Sequence, residues 1–381
     1  MKVILSVDPI KYPLTGIGRY TYELACQLAV DTEVSSLKFL RGTRLIDSIP
    51  DVVSNEAAAS SGLRRKLLKS QLAVSLYQLA MPRMKGLVLR GREDHVFHGP
   101  NFYLPPFKGR SVVTMHDLSS YLWSDCHPPE RVRYMRSEIE LSLRRASRLI
   151  TDSEYIRQEV AGFWGWPLEK IHVAPLASAA EFHPRTQEQL AACRKKYDLP
   201  EHGYALFLGT IEPRKNIPAL LDAYGSLPES VRARWPLILA GYKGWRSDDI
   251  HDRIERATRA GWARYLGFLS ADELPLLMAG ARLFVFPSLY EGFGLPVVEA
   301  MASGVPVVCS NASSLPEVAG WAALMCDASD TGALRELVAR GLEDEAWRAA
   351  AVAEGLAQAA KFSWRRCAKE TLAAYRAALN D

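Results

Sequence analysis

Short apolar runs recur along this chain, each followed by a Gly- or Pro-marked turn and then a helical pattern. That alternation constrains the fold more than any other feature. VILSV at 3–7 leads into a Gly-containing loop and a helix around 20–29. SVVTM at 111–115 leads into His116–Asp117, and RLIT at 148–151 leads into DSEYIRQEVAGFW, where Asp152 or Ser153 can cap a helix. ALFLG at 205–209, PLILAG at 236–241, LFVFPS at 283–288 and PVVCS at 306–310 continue the series. Strands alternating with helices make βαβ units and parallel sheets. Parallel strands covered on both faces read as unbroken apolar runs, as these do.

The series breaks near 181–203, a polar, Pro-containing stretch, and restarts at Tyr204. The pattern therefore predicts an α/β protein of two doubly wound, Rossmann-like domains, 1–185 and 186–364, followed by an amphipathic C-terminal helix over 365–381. A length of 381 residues suits two domains. With 48% hydrophobic and 24% charged residues, a disordered or fibrous chain is excluded. The formal charge of +4 is too weak to argue for nucleic acid. It is uneven, however: residues 1–185 carry 25 basic and 19 acidic side chains, so the first half is the one expected to meet an anionic surface or ligand. Six scattered cysteines without CxxC spacing, no signal-like start and no long apolar span point to a cytosolic protein.

The run PSLYEGFGLPVVEAMASGVPVV, 287–308, carries the strongest chemistry. A strand ends at Pro287, a loop with Gly292 and Gly294 follows, Pro296 stands where a helix begins and Gly304 stops it. A glycine loop entering a helix N-terminus is a ready anion site. Glu291 and Glu299 cannot share a helical face and can instead touch separate parts of one ligand. The second signal is LGTIEPRKN, 208–216, which sets Arg214 and Lys215 at a strand's C-terminal end. Arginine suits bidentate phosphate contact and lysine adds a point charge. LTGIGRY at 14–20, with Gly16 and Gly18, lets a phosphate or sugar approach closely, although a plain tight turn fits equally well. His116 sits at another strand end, where a structural and a cleft-facing histidine are equally compatible with the spacing. His95, His98, His127, His172 and His183 have no metal-ligand spacing, so no catalytic metal is expected.

Taken together, GIGRY, HGPNFYLP, the His116–Asp117 pair, TDSEYIRQEV, LGTIEPRKN, the Glu291-to-Glu299 run and the FSW tail resemble the GT-B-fold retaining glycosyltransferases of family four. The resemblance spans nearly the whole chain. It implies a nucleotide-diphosphate sugar donor held by the C-terminal domain, with Arg214 and Lys215 on the diphosphate. It puts Glu291 on the sugar hydroxyls and Glu299 on the ribose. The stretch Gly292, Phe293, Gly294 and Leu295 would meet sugar and phosphate, and His116 the transferred sugar. Gly16 and Gly18 would border diphosphate and acceptor, and Phe268 and Leu269 would lie by the base. The C-terminal helix would cross back to the first domain. HGPNFYLP and LGTIEPRKN are similar to bacterial mannosyl- and rhamnosyltransferases of surface polysaccharide assembly, such as O-antigen synthesis, which commonly use GDP-sugars. The resemblance implies no cofactor, and a glycan or polyprenyl-linked glycan acceptor. A non-catalytic sugar-nucleotide-binding protein and a GT-B-fold epimerase are the rival readings.

Residues 62–92 hold eight positive charges (Arg64, Arg65, Lys66, Lys69, Arg83, Lys85, Arg90 and Arg92) and no acid. Leucines at three- and four-residue steps predict an amphipathic helix that Pro82 ends or bends. It is either a helix with a solvated basic side or an interfacial one that holds the protein on the inner face of an anionic membrane.

Overall fold

A computed structural model of the chain describes residues 1–11, 14, 16–50 and 71–381. The described strands form two sheets. The first contains β1 (Lys2–Ser6), β2 (Ser36–Arg41), β3 (Arg44–Ile46), β4 (Val96–Gly99), β5 (Arg110–Met115), β6 (Arg148–Thr151) and β7 (Ile171–Val173), in the order β3-β2-β1-β4-β5-β6-β7. The second contains β8 (Ala205–Leu208), β9 (Leu237–Ala240), β10 (Ala263–Tyr265), β11 (Leu283–Phe286), β12 (Val307–Ser310) and β13 (Ala323–Cys326), in the order β10-β9-β8-β11-β12-β13. Pairing is parallel throughout except at the edge, where β2 and β3 form an antiparallel hairpin. The central strands β4, β8, β9, β11 and β12 are buried along their whole length, because helices cover both faces.

In each sheet the chain starts in the middle and turns outward on both sides. The reversal falls between β1 and β4 in the first sheet and between β8 and β11 in the second. Ligands of open α/β sheets bind at such switch points, beyond the carboxyl ends of the strands. The residues singled out in the sequence follow these strands: Gly16 after β1, His116 after β5, Arg214 and Lys215 after β8, and Glu291 after β11.

The helix Trp364–Leu379 lies on the first sheet, against β5, β6 and β7. Its Tyr375 hydroxyl is 2.7 Å from His98 Nδ1, and Arg148 forms an ion pair with Asp381 beyond it. The polar stretch near 181–203 differs from the linker the sequence suggests. It contains the helix Gln187–Tyr197, closed by a Thr186–Gln189 capping box, with Leu190 and Cys193 buried on its one apolar side. The helix Gln71–Val88 continues through Pro82 instead of stopping there. The cluster Arg64, Arg65, Lys66 and Lys69 lies outside the described residues.

Candidate active site

The loop after β8 turns through a short 3-10 segment, Pro213–Lys215, which places Arg214 and Lys215 side by side. The loop after β11 brings Glu291 between them. Lys215 Nζ donates to Glu291 Oε1 at 2.5 Å and Arg214 Nη1 to Glu291 Oε2 at 3.3 Å. Arg214 is further fixed by the Tyr290 carbonyl at 2.7 Å and by Glu212 Oε1, which accepts from Nη2 at 2.7 Å and from Nε at 3.1 Å. Burial pulls against each of these charges, and their mutual proximity answers it. The Lys215 ammonium is pushed below the ordinary lysine range by burial, which outweighs the support from Glu291. The Glu291 carboxyl, which burial alone would raise, is held below the usual carboxylate range by Lys215 and Arg214. The cluster is thus two carboxylates, Glu212 and Glu291, and two cations withdrawn from water, where charge interactions are strong.

Gly294, with φ of 102°, ends the loop in the left-handed region and opens the helix Leu295–Ala302, in which Pro296 is the second residue. Pro296 carries no amide proton and the Val297 amide donates to the Gly294 carbonyl at 2.9 Å, so within the first turn it is the Leu295 amide that has no partner in the helix. Ser314 Oγ donates to the carbonyls of Glu291 and Phe293, which holds the loop in place.

His116 stands on the opposite wall. Its Nδ1 lies 2.6 Å from Asp152 Oδ2 and its Nε2 lies 2.9 Å from the Pro100 carbonyl. Both partners can accept, an arrangement that favours a proton on each ring nitrogen. Burial opposes the charge, yet the Asp152 carboxylate and the Pro100 carbonyl raise the imidazolium above the ordinary histidine range. Asp152 Oδ1 is buried without a partner among the described residues.

The two walls meet around a cleft of about 540 Å³ lined by Gly16, His116, Arg214, Lys215, Glu291 and the stretch Gly292–Pro296. They also touch. A Cβ on Gly292 would lie 2.0 Å from the His116 carbonyl oxygen, so only glycine allows this approach. Ser153, which caps the helix Glu154–Trp164, donates its hydroxyl to the Gly292 carbonyl at 2.8 Å. The Tyr290 hydroxyl accepts from Leu118 N at 3.0 Å, and Glu317 accepts from the amides of Glu154 and Tyr155.

Other expected residues fall outside the cleft lining. Gly18 is buried within the helix Gly16–Val30. Leu269 is core, and Phe268 is exposed, stacked on Tyr242 at 4.2 Å beyond the ends of β9 and β10. Glu299 lies in the helix Leu295–Ala302 and responds to Arg19 and Glu181; burial, with Glu181, pushes its carboxyl up to about 8 against the pull of Arg19. Sequence reasoning passed over Asp152, Pro100, Tyr290 and Glu212. All four stand inside the motifs quoted above, but Asp152, Pro100 and Tyr290 act through partners remote in sequence.

Residues 192–359 match the family described as glycosyl transferases group 1. O-antigen chain mannosyltransferase B of Escherichia coli is 46% identical over 379 residues, 99% of this chain and 100% of that protein. This chain belongs to the group 1 glycosyl transferases. Another relative of this glycosyltransferase is the serotype-specific mannosyltransferase WbdA of Escherichia coli, 35% identical over 68% of this chain but only 32% of its own length. HepE of Anabaena, in its crystal structure with UDP-glucose, superposes with a TM-score of 0.70 at 18% identity, covering 98% of this chain and 99% of its own. The likeness to HepE establishes the shared GT-B fold.

Proposed function

We propose that this glycosyltransferase moves a mannosyl unit from a GDP-linked donor to the glycan, free or polyprenyl-linked, of an O-antigen-type polysaccharide, with retention and without a metal. The observation that carries this reading is the buried Arg214–Lys215–Glu291 cluster across the cleft from His116. The full-length similarity to O-antigen chain mannosyltransferase B supports the sugar and the pathway.

In the reaction the bond between the anomeric carbon and the diphosphate oxygen breaks, and its electron pair leaves on the diphosphate. Arg214, Lys215 and the N-terminus of the helix Leu295–Ala302 stabilise that charge as it develops. The anomeric carbon becomes oxocarbenium-like. The acceptor hydroxyl attacks from the face the diphosphate leaves, and its proton passes to the departing oxygen. Glu291 holds sugar hydroxyls, and His116, fixed by Asp152 and Pro100, orients the ring of the transferred sugar. A donor panel tests this. Turnover is expected with GDP-mannose; turnover confined to UDP-sugars would contradict the donor assignment.

No described helix is long and apolar enough to cross a membrane. We assign the basic segment 62–92, except Lys85, which is buried and paired with Asp8, to the surface of an anionic membrane, on the inner face of the cytoplasmic membrane. Arg83, Arg90 and the exposed Met84 and Leu87 support this. The protein is expected to sediment with anionic vesicles at low salt and to be released at high salt. Equal binding after replacing Arg64, Arg65, Lys66 and Lys69 by Gln would refute it.

A further inference from the structure

Tyr290 is divided between the two lobes. It belongs to the loop after β11, in the lobe built on the second sheet, and directly precedes Glu291. Its side chain lies in the other lobe. It is 4% exposed and sits in the buried cluster that contains Val113, Met115, Leu118, Ile156 and Val160, to which no other described residue of the second lobe contributes. The ring stacks on Trp123, with centroids 6.2 Å and planes 28° apart. The hydroxyl accepts from the Leu118 amide at 3.0 Å and donates to Glu159 Oε2. A buried tyrosine needs partners for its hydroxyl, and here both come from the first lobe.

The main chain of the same residue serves the donor cluster. The Tyr290 carbonyl accepts from Arg214 Nη1 at 2.7 Å, and the neighbouring Leu289 amide donates to the Arg214 carbonyl at 2.9 Å. The peptide that carries the Tyr290 carbonyl also carries the Glu291 amide, which donates to Ser313 Oγ at 2.8 Å. The Glu291 carboxylate has its own partners, Lys215 and Arg214, in the second lobe. The tyrosine side chain is therefore a first-lobe anchor one residue from that carboxylate. On the other side, Leu118 is two residues beyond His116, and Glu159 stands on the helix Glu154–Trp164. One side chain thus links the segment that carries His116 to the segment that carries Glu291. Small displacements of groups that hold a substrate for reaction cost large factors in rate.

We propose that Tyr290 is a positioning residue of the transfer reaction: seated in the first lobe through Leu118 and Glu159, its side chain fixes the 290–291 peptide and so holds Glu291 and Arg214 toward the reacting centre. The proposal rests on the glycosyltransfer reading above and adds to it a residue that touches neither donor nor acceptor. Arg214 and Lys215 stay in the second lobe whether or not the hydroxyl is seated, so Tyr290 acts in turnover and not in nucleotide binding. Glu159 acts through the same hydroxyl.

The test measures kcat with GDP-mannose and a mannose-terminated oligosaccharide, and GDP affinity by calorimetry, for Tyr290→Phe, Glu159→Leu, Glu159→Gln and the double variant Tyr290→Phe/Glu159→Leu. Tyr290→Phe keeps the ring and the main chain and removes only the hydroxyl. We expect it to lower kcat at least about tenfold, equivalent to about 1.4 kcal/mol of barrier, with GDP affinity within about twofold of wild type. Glu159→Leu should fall as far, and Glu159→Gln, whose amide oxygen still accepts, should recover kcat to within about threefold of wild type. The double variant should be no worse than about twofold below the lower single variant, since both changes break one link. Should Tyr290→Phe fail to fold, Glu159→Leu and its recovery by Gln decide the matter. Unchanged kcat in Tyr290→Phe, losses that multiply in the double variant, or a loss of GDP affinity as large as the loss of kcat would overturn the positioning role while leaving the glycosyltransfer reading intact. Absence of turnover by the wild type with any sugar nucleotide would overturn both.

Discussion

Replacing Glu291 by alanine removes the carboxylate that lies 2.5 Å from Lys215 Nζ and 3.3 Å from Arg214 Nη1. Glu291 and Lys215 are 7% and 8% exposed, so water does not take over the lost role. Removing one member of a buried ion pair leaves the other uncompensated, at a cost of about 3–5 kcal/mol in stability. Burial already pushes Lys215 below the ordinary lysine range, and without Glu291 its positive charge loses its main support. The departing diphosphate then meets a weakened Lys215 beside Arg214, and the transferred sugar loses a charged hydrogen-bond acceptor. Each charge-assisted contact is worth about 1.5–3 kcal/mol. Even one such loss in the transition state lowers kcat by about 10- to 150-fold, and both together by more than about 100-fold. Glu291→Gln, which keeps the shape, should fall between wild type and Glu291→Ala. The assay is kcat at saturating donor together with urea unfolding. Near-wild-type turnover of Glu291→Ala at saturating donor would refute the reasoning, whatever its stability.

Arg214→Ala is expected to weaken nucleoside diphosphate binding by about 10- to 150-fold while leaving nucleoside binding nearly unchanged, which calorimetry can compare. Burial pushes the Glu299 carboxyl up to about 8, which favours its protonated form at neutral pH. If Glu299 meets the ribose, its hydroxyls favour the ionised carboxylate, so nucleotide binding should release a proton and tighten as pH rises from about 7 to 9. Glu299→Gln should abolish that pH dependence, and its survival in the variant would count against the ribose contact. Gly292→Ala puts a Cβ 2.0 Å from the His116 carbonyl and should prevent the lobes from meeting there. Turnover should collapse while each lobe keeps its fold; normal turnover would refute this.

The runs that became β1, β5, β6, β8, β9, β11 and β12 were legible because strands covered on both faces leave unbroken apolar stretches. The short edge strands β3, β7 and β10 were not, since each has only three residues and is partly exposed. The helix Gln187–Tyr197 was hidden for a related reason: two buried side chains on a charged surface read as a linker. In the site, Arg214, Lys215 and Glu291 were visible as motifs because each loop carries its residues locally. The partners of His116 were not, because Asp152 is 36 positions away and the Pro100 contact is a backbone carbonyl, to which no side chain gives a clue. Asp8 and Lys85 are 77 positions apart and meet only through folding. The resemblance alone puts Phe268 by the base; in the structure its ring is exposed and stacks on Tyr242.

The most direct test of the proposed chemistry is transfer from GDP-mannose in excess EDTA, with the anomeric configuration of the product read by NMR. If Arg214, Lys215 and the helix N-terminus stabilise the departing diphosphate by themselves, turnover should equal that without chelator, and the new linkage should keep the anomeric configuration of the donor. Loss of turnover that Mg²⁺ or Mn²⁺ restores, or an inverted linkage, would contradict the mechanism.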